Sequence, residues 1–186
     1  MADRPARIAV LAANWVDEME ILYPIWRLKE EGIEIHLLTA DGEAPTRGEH
    51  DLAIDWYLKH RQYHEKTLKV ADARAGDYDG VLCPGGYSQD HLRHLPEVQS
   101  LVQRFNADGK MISAICHGIW TPVSAGILKG RKVTCVPKIK DDAINAGAEW
   151  LDQEVVQDGN LITSRTPPDL GAFCRAMIAY VTSSRS

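Results

Sequence analysis

The residue types best suited to chemistry stand together in Met111-Ile-Ser-Ala-Ile-Cys116-His117-Gly118. A thiol followed directly by an imidazole supplies a nucleophile with an adjacent base or acid. Met111 to Ile115 has the pattern of a short buried strand, and Gly118 to Val123 leads into a helical stretch stopped at Ala125-Gly126. A cysteine between the two sits on a sharp turn, its sulfur lifted above the sheet edge. There the backbone N–H groups of the next turn favour thiolate over thiol, and a lowered thiol pKa is expected. A cysteine at a strand end is more commonly buried and inert, so this context alone leaves both readings open.

A second signal is Pro84-Gly85-Gly86, which follows the apolar run Asp79-Gly-Val-Leu-Cys83. Adjacent glycines let a backbone approach a substrate closely, and with the His117 amide they can form an oxyanion hole. Other candidates carry less. His60 and His64 have the i,i+4 spacing of a zinc pair, but His60-Arg-Gln-Tyr-His64 lacks the glutamate of a metalloprotease helix, and no metal or cofactor is expected. His91 and His94 read as surface residues near the site mouth, and Trp15, Trp26, Trp56 and Trp150 as packing groups. Cys83, Cys135 and Cys174 read as buried and unreactive.

These residues need a scaffold. The 186 residues suit one domain, taken as residues 1–186, with 45% hydrophobic and 25% charged residues. A net charge of −5 without a basic cluster argues against nucleic acid as a partner. No apolar run approaches the about 20 residues of a membrane span, and Met1 to Arg7 has no signal-peptide core. Four scattered cysteines without a CxxC pair suggest free thiols in a reducing cytoplasm.

Along the chain, strand and helix patterns alternate. Arg7 to Ala13 reads as strand, Met19 to Glu31 as helix and Ile33 to Thr39 as strand, so the chain opens β-α-β and implies a parallel sheet. Asp51 to Asp55 reads as a short strand and Trp56 to Lys69 as an exposed helix. Glu97 to Asp108 reads as helix, Arg131 to Val136 as strand and Ile139 to Asn145 as a short helix. Asp158-Gly159 between two strand runs predicts a hairpin, and Asp169 to Ser183 a last helix with Asp169 as its N-cap. The expected fold is a doubly wound α/β domain with ligands beyond the carboxyl ends of the strands.

Several stretches taken together resemble the ThiJ/PfpI (DJ-one-like) superfamily, and within it the PfpI intracellular-protease branch. They are Ala114 to Gly118, Leu82 to Gly86, Glu20-Ile-Leu-Tyr-Pro24 with Arg27 to Gly32, Lys140 to Gly147, the Val155 to Asn160 hairpin and Ser164-Arg165. The likeness covers nearly the whole chain except roughly Asp55 to Arg74. It implies a flavodoxin-like, class I glutamine amidotransferase-like sheet sandwiched by helices, with a β-hairpin near the C-terminus. By this resemblance Cys116 is the nucleophile, His117 its partner, and Glu20 the carboxylic acid that reaches the sulfur, with Asp17 and Glu18 as competitors for that place. A protonated carboxyl there would donate to a thiolate and stabilise it. Asp90 matches the acid that completes the triad across a subunit interface, although it is one methylene shorter than the usual glutamate. It also fits an ordinary N-cap of a short helix. The resemblance thus implies a homo-oligomer, a dimer or a hexamer, with sites at the interface. Trp120 stands near a position where the family more often has proline, and it would narrow the substrate pocket.

The leading functional expectation is a cysteine-dependent hydrolase of the protease kind. The alternative is a glyoxalase or deglycase acting on methylglyoxal-type carbonyls through the same thiol. A non-enzymatic class, a stress-response chaperone or redox sensor oxidised at Cys116, follows from a low-pKa cysteine beside an acid.

Overall fold

The computed structural model describes residues 4–60 and 64–185. Its strands are β1 (Arg7–Leu11), β2 (Glu34–Thr39), β3 (Lys66–Lys69), β4 (Gly80–Cys83), β5 (Met111–Ile115), β6 (Lys132–Val133), β7 (Glu149–Trp150), β8 (Val155–Asp158) and β9 (Leu161–Ser164). Seven of them form one sheet in the order β3-β2-β1-β4-β5-β9-β8, while β6 and β7 pair separately. All neighbours in the large sheet are parallel except β8 and β9, the predicted hairpin.

The helices are α1 (Glu18–Glu30), α2 (Asp55–Lys59), α3 (Ser88–Leu92), α4 (Pro96–Ala107), α5 (Trp120–Ser124), α6 (Lys140–Asn145) and α7 (Leu170–Ser183). Alternation along β1 divides the core in two. Ile8 and Val10 pack with Ile21, Ile25 and Leu28 of α1 and Phe173 and Met177 of α7. Ala9 and Leu11 pack with Val98, Val102 and Phe105 of α4 on the opposite face. The central strands therefore read as continuous apolar runs, because neither face meets water. Burial of Phe105 and Phe173, which are fully covered, contributes about 1.5–3 kcal/mol each.

From β1 the chain winds outward through β2 to β3, then crosses back to β4 on the other side of β1. That reversal opens a crevice beyond the carboxyl ends of β1 and β4. The loops after these strands are tied together there. Asp17 N–H donates to Gly85 O at 3.3 Å, Ser88 N–H to Trp15 O at 3.2 Å, and Ala13 N–H to Ser88 Oγ at 2.8 Å. Among the described residues no helix is long and apolar enough to cross a membrane.

Four local expectations change. Asp51 to Asp55 is not a strand; it carries only an isolated bridge between Arg47 and Ala53, and α2 begins at Asp55. The expected helix of Trp56 to Lys69 ends at Lys59 within α2, and Lys66–Lys69 is the edge strand β3 beside β2. An edge strand half open to water carries lysines and lacks the apolar run that marks a central strand; residues 61–63 lie outside the described range. The strand of Arg131 to Val136 shrinks to β6. Asp169 makes no capping bond; its carboxylate takes Arg165 at 2.8 and 3.1 Å. Trp15, Trp26 and Trp56 are partly exposed, and Trp26 and Trp56 each pack edge-on against Tyr57.

Candidate active site

Strand β5 runs straight into a tight 3-10 turn, Cys116–Ile119, and the transition places Cys116 at φ +57°. Positive φ brings Cβ against the following carbonyl and costs a non-glycine residue about 1–2 kcal/mol, so packing has to hold it. The clamp is visible at Gly118, where a Cβ would lie 2.0 Å from the Cys83 carbonyl oxygen. Only glycine lets the turn sit this close to the end of β4. The result is a sharp elbow with Cys116 Sγ 3.3 Å from His117 Nδ1 and the His117 amide directed at the sulfur.

Beneath the elbow lies Glu20, in the first turn of α1 and without exposed surface. Asp17 fixes that turn by accepting from the Met19 and Glu20 N–H groups at 2.9 and 3.1 Å. Glu18 points elsewhere, to the His50 N–H at 3.0 Å and His50 Nδ1 at 2.7 Å. Of the three acids in this turn, Glu20 therefore reaches the sulfur. Its Oε2 accepts from Gly85 N–H at 2.8 Å, buried Oε1 has no hydrogen-bond partner, and the carboxyl as a whole interacts with the Cys116 side chain. A Cβ on Gly85 would stand 2.2 Å from Glu20 Oε2 and 2.7 Å from the Cys116 Cβ, so the first glycine of the pair is the floor of the site.

Burial, and then the charge of Asp17, raise the Glu20 pKa to about 9. A carboxyl shifted this far favours its protonated form at neutral pH. The thiol departs from expectation. Burial pushes Cys116 up, with the Glu20 charge adding to this when it ionises, and the His117 amide opposes it. With the sulfur tucked under Gly85 and α5 only five residues long, the turn's dipole is a weaker influence than desolvation. Burial also pushes His117 down, assisted by Lys138 and opposed by Asp142 and Asp17. The resting pair is thus a thiol beside a neutral imidazole, with Nδ1 the ring nitrogen that faces the sulfur.

The other predicted residues sit at the mouth. Trp120 packs edge-on to the His117 ring, with centroids 4.8 Å apart and planes at 62°. Asp90 lies inside α3, not at its N-cap, and binds Arg93 Nε and Nη2 at 2.9 Å; in this chain it does not meet His117. Asp17 N–H donates to Gly85 O beside the Val16–Gly86 bridge, which ties the loop after β4 to the loop after β1 and buries Gly86 between them. Two residues escaped the sequence reading. Tyr87 stacks on His117 at 5.9 Å and 29°, and Asp142 Oδ2 accepts from Trp120 Nε1 at 2.7 Å. Tyr87 follows the diglycine directly, which was its only signal; Asp142 stood in a quoted motif with no chemistry attached.

No group of three or more metal-ligating side chains occurs among the described residues. His64 Nε2 bonds the Leu58 carbonyl, and His60 lies against Trp56. His91 is exposed and lines a separate cavity of about 300 Å³ with Asn14, Trp15 and Asp41. Cys83, Cys135 and Cys174 are buried, and burial raises each thiol to about 12.

Comparison with known proteins fits this geometry. A deglycase of Pyrococcus horikoshii is 36% identical over 172 residues, which is 92% of this chain and 97% of that protein. The deglycase PfpI of Pyrococcus furiosus is also 36% identical over the same shares. "Putative cysteine protease YraA" of Bacillus subtilis is 33% identical over 91% of this chain and 94% of its own. Among solved structures, a two-domain protein of Anabaena variabilis with DJ-1/ThiJ/PfpI-like and ferritin-like domains superposes with a TM-score of 0.85. It is 31% identical, and the match covers 95% of this chain and 48% of that one. Drosophila melanogaster DJ-1beta superposes at 0.82 with 25% identity, over 98% of this chain and 94% of its own. The sequence profile of the DJ-1/PfpI family matches residues 6–180, and the chain belongs to the DJ-1/PfpI family.

Proposed function

We propose that this protein is a cysteine-dependent enzyme of the deglycase or glyoxalase type, acting on α-oxoaldehydes and their adducts with amines and thiols. One observation carries the reading: the Cys116 thiol lies 3.3 Å from a neutral His117 Nδ1, with the protonated carboxyl of Glu20 buried on its other side.

Cys116 Sγ adds to the aldehyde carbon as its proton passes to His117 Nδ1. The imidazolium returns that proton to the new oxyanion, giving a hemithioacetal, and in this reading the Gly86 amide steadies the oxygen. Glu20 donates to the sulfur as charge develops on it. A proton then leaves C1 and returns at C2 through an enediol. C1 becomes a thioester and C2 an alcohol, with no external oxidant or reductant. Water cleaves the thioester to a 2-hydroxy acid and restores the thiol. When the aldehyde arrives as an adduct, the amine or thiol leaves with a proton from His117 as Cys116 takes its place.

The protease expectation ranks second. It has the same nucleophile and the name of the Bacillus relative in its favour. Cys116 is only 9% exposed, and Tyr87 and Trp120 crowd the His117 ring beside it, which suits a small carbonyl better than an extended peptide. The sensor reading draws less support, since burial raises the thiol that such a role needs ionised. Four free and buried cysteines support a reducing cytoplasm as the compartment.

Lactate formed from methylglyoxal, measured beside cleavage of a casein or peptide substrate, tests the assignment. We expect lactate from the wild-type chain and its loss by at least about a thousandfold in Cys116→Ser. Peptide turnover without lactate would reverse the ranking, and a fully active Cys116→Ser would remove the nucleophile.

A further inference from the structure

His117 needs an orienting group, because its imidazole can turn about two side-chain bonds and only one arrangement presents Nδ1 to the sulfur. In this chain no carboxylate among the described residues bonds its ring; Asp90, the acid the resemblance offers, is held by Arg93. What touches the ring is aromatic, with Tyr87 stacked against it and Trp120 meeting it edge-on.

Trp120 is itself held from two further elements. Its Nε1 donates to Asp142 Oδ2 at 2.7 Å, from α6, and the Arg93 guanidinium lies 5.0 Å from its ring centroid, at the end of α3. A charge-assisted hydrogen bond at the indole edge and a cation over its face restrain that side chain. Asp90 in turn fixes Arg93. The brace runs Asp90, Arg93, Trp120, His117, with Asp142 as its second anchor.

We propose that Trp120 is the positioning residue of this site, holding the His117 imidazole toward Cys116 with Asp142 and the Arg93–Asp90 pair as its supports. The inference rests on the Cys116–His117 reading above. It gives Asp90 a role within its own chain, through Arg93 and Trp120. It also gives Asp142 a second effect. As His117 takes the thiol proton, the nearby Asp142 carboxylate favours the imidazolium. The charged and titratable groups facing His117 are Cys116 with Glu20 beneath it, Asp17 from the turn before α1, Tyr87 before α3, and Lys138 and Asp142 from the α6 side, with Arg93 behind Trp120.

The test compares Trp120→Phe, Asp142→Asn and Cys116→Ser in the full chain. It uses methylglyoxal as substrate between about pH 5 and pH 9 and follows the His117 ring by NMR titration. Trp120→Phe keeps an aromatic edge but loses the N–H. We expect kcat about fivefold to tenfold lower with KM within about twofold. Asp142→Asn, a substitution at an exposed position, keeps an acceptor but not the charge. Its kcat should recover to within about threefold, while the acid limb of kcat/KM and the His117 titration both move to lower pH. A merely structural role would leave that limb where it is. If Cys116→Ser abolishes turnover while the other two match wild type in kcat and pH limb, the positioning role is overturned and the nucleophile stands. If Cys116→Ser keeps its activity, the underlying reading fails instead.

Discussion

Glu20 shows how a residue's charge is set by what surrounds it. One carboxyl oxygen accepts from the Gly85 amide, the other has no hydrogen-bond partner, and the residue has no access to water. Its pKa rises from 4.5 to about 9, so the folded chain keeps a proton that the unfolded chain releases across that window. The folded state then binds more protons than the unfolded state, and stability falls as pH rises, by about 1.4 kcal/mol per pH unit inside the window. Glutamine is neutral throughout. Urea midpoints of Glu20→Gln should therefore lose this slope between about pH 5 and pH 8, while wild type keeps it. Parallel slopes would mean that Glu20 is ionised in the folded protein. The family resemblance implied Glu20 near the sulfur. Its protonation comes from the packing of α1 under the loop after β4.

At the scale of elements, the site is a meeting of strand ends, and glycines decide how closely they meet. Gly118 and Gly109 separate two kinds of demand. A Cβ on Gly118 meets the Cys83 carbonyl, whereas one on Gly109, at φ +63°, meets nothing within 4 Å. Gly109→Ala should cost about 1–2 kcal/mol, from the left-handed backbone alone. Gly118→Ala should cost at least about 3 kcal/mol and most of the activity, because β4 and the elbow must part. Chemical unfolding and methylglyoxal turnover of the two variants check this, and equal losses would mean that the elbow yields freely. The elbow was legible because a buried strand, a cysteine and a glycine-stopped helix follow one another directly. Strand β3 was not, since an exposed edge of lysines carries no periodic apolar signal.

At the scale of the molecule, apolar surface remains to be covered. Met19 and Leu52 are more than half exposed and line a groove of about 370 Å³ beside α1 with Leu22 and Tyr23. Exposed apolar ground of this kind commonly marks an interface. We expect light scattering to give a dimer or a hexamer of the 20.7 kDa chain, and Met19→Glu to lower that mass. A monomer with full activity would contradict the assembly expected from the family resemblance. It would leave the braced histidine intact, because every member of that brace belongs to one chain.

The amino-acid sequence by itself determined the alternation of strand and helix, the hairpin, and the elbow at Cys116 with its neighbouring histidine and diglycine. Each of these is written in contiguous residues through local backbone constraints and apolar period. Only the tertiary structure decided the charge of Glu20, the resting thiol and the partners of His117. Burial of the first two depends on α1, β4 and β5 closing on one another. The histidine's neighbours arrive from α3, α5 and α6, more than fifty residues apart at the extremes from Tyr87 to Asp142, and no local pattern encodes where such distant side chains meet.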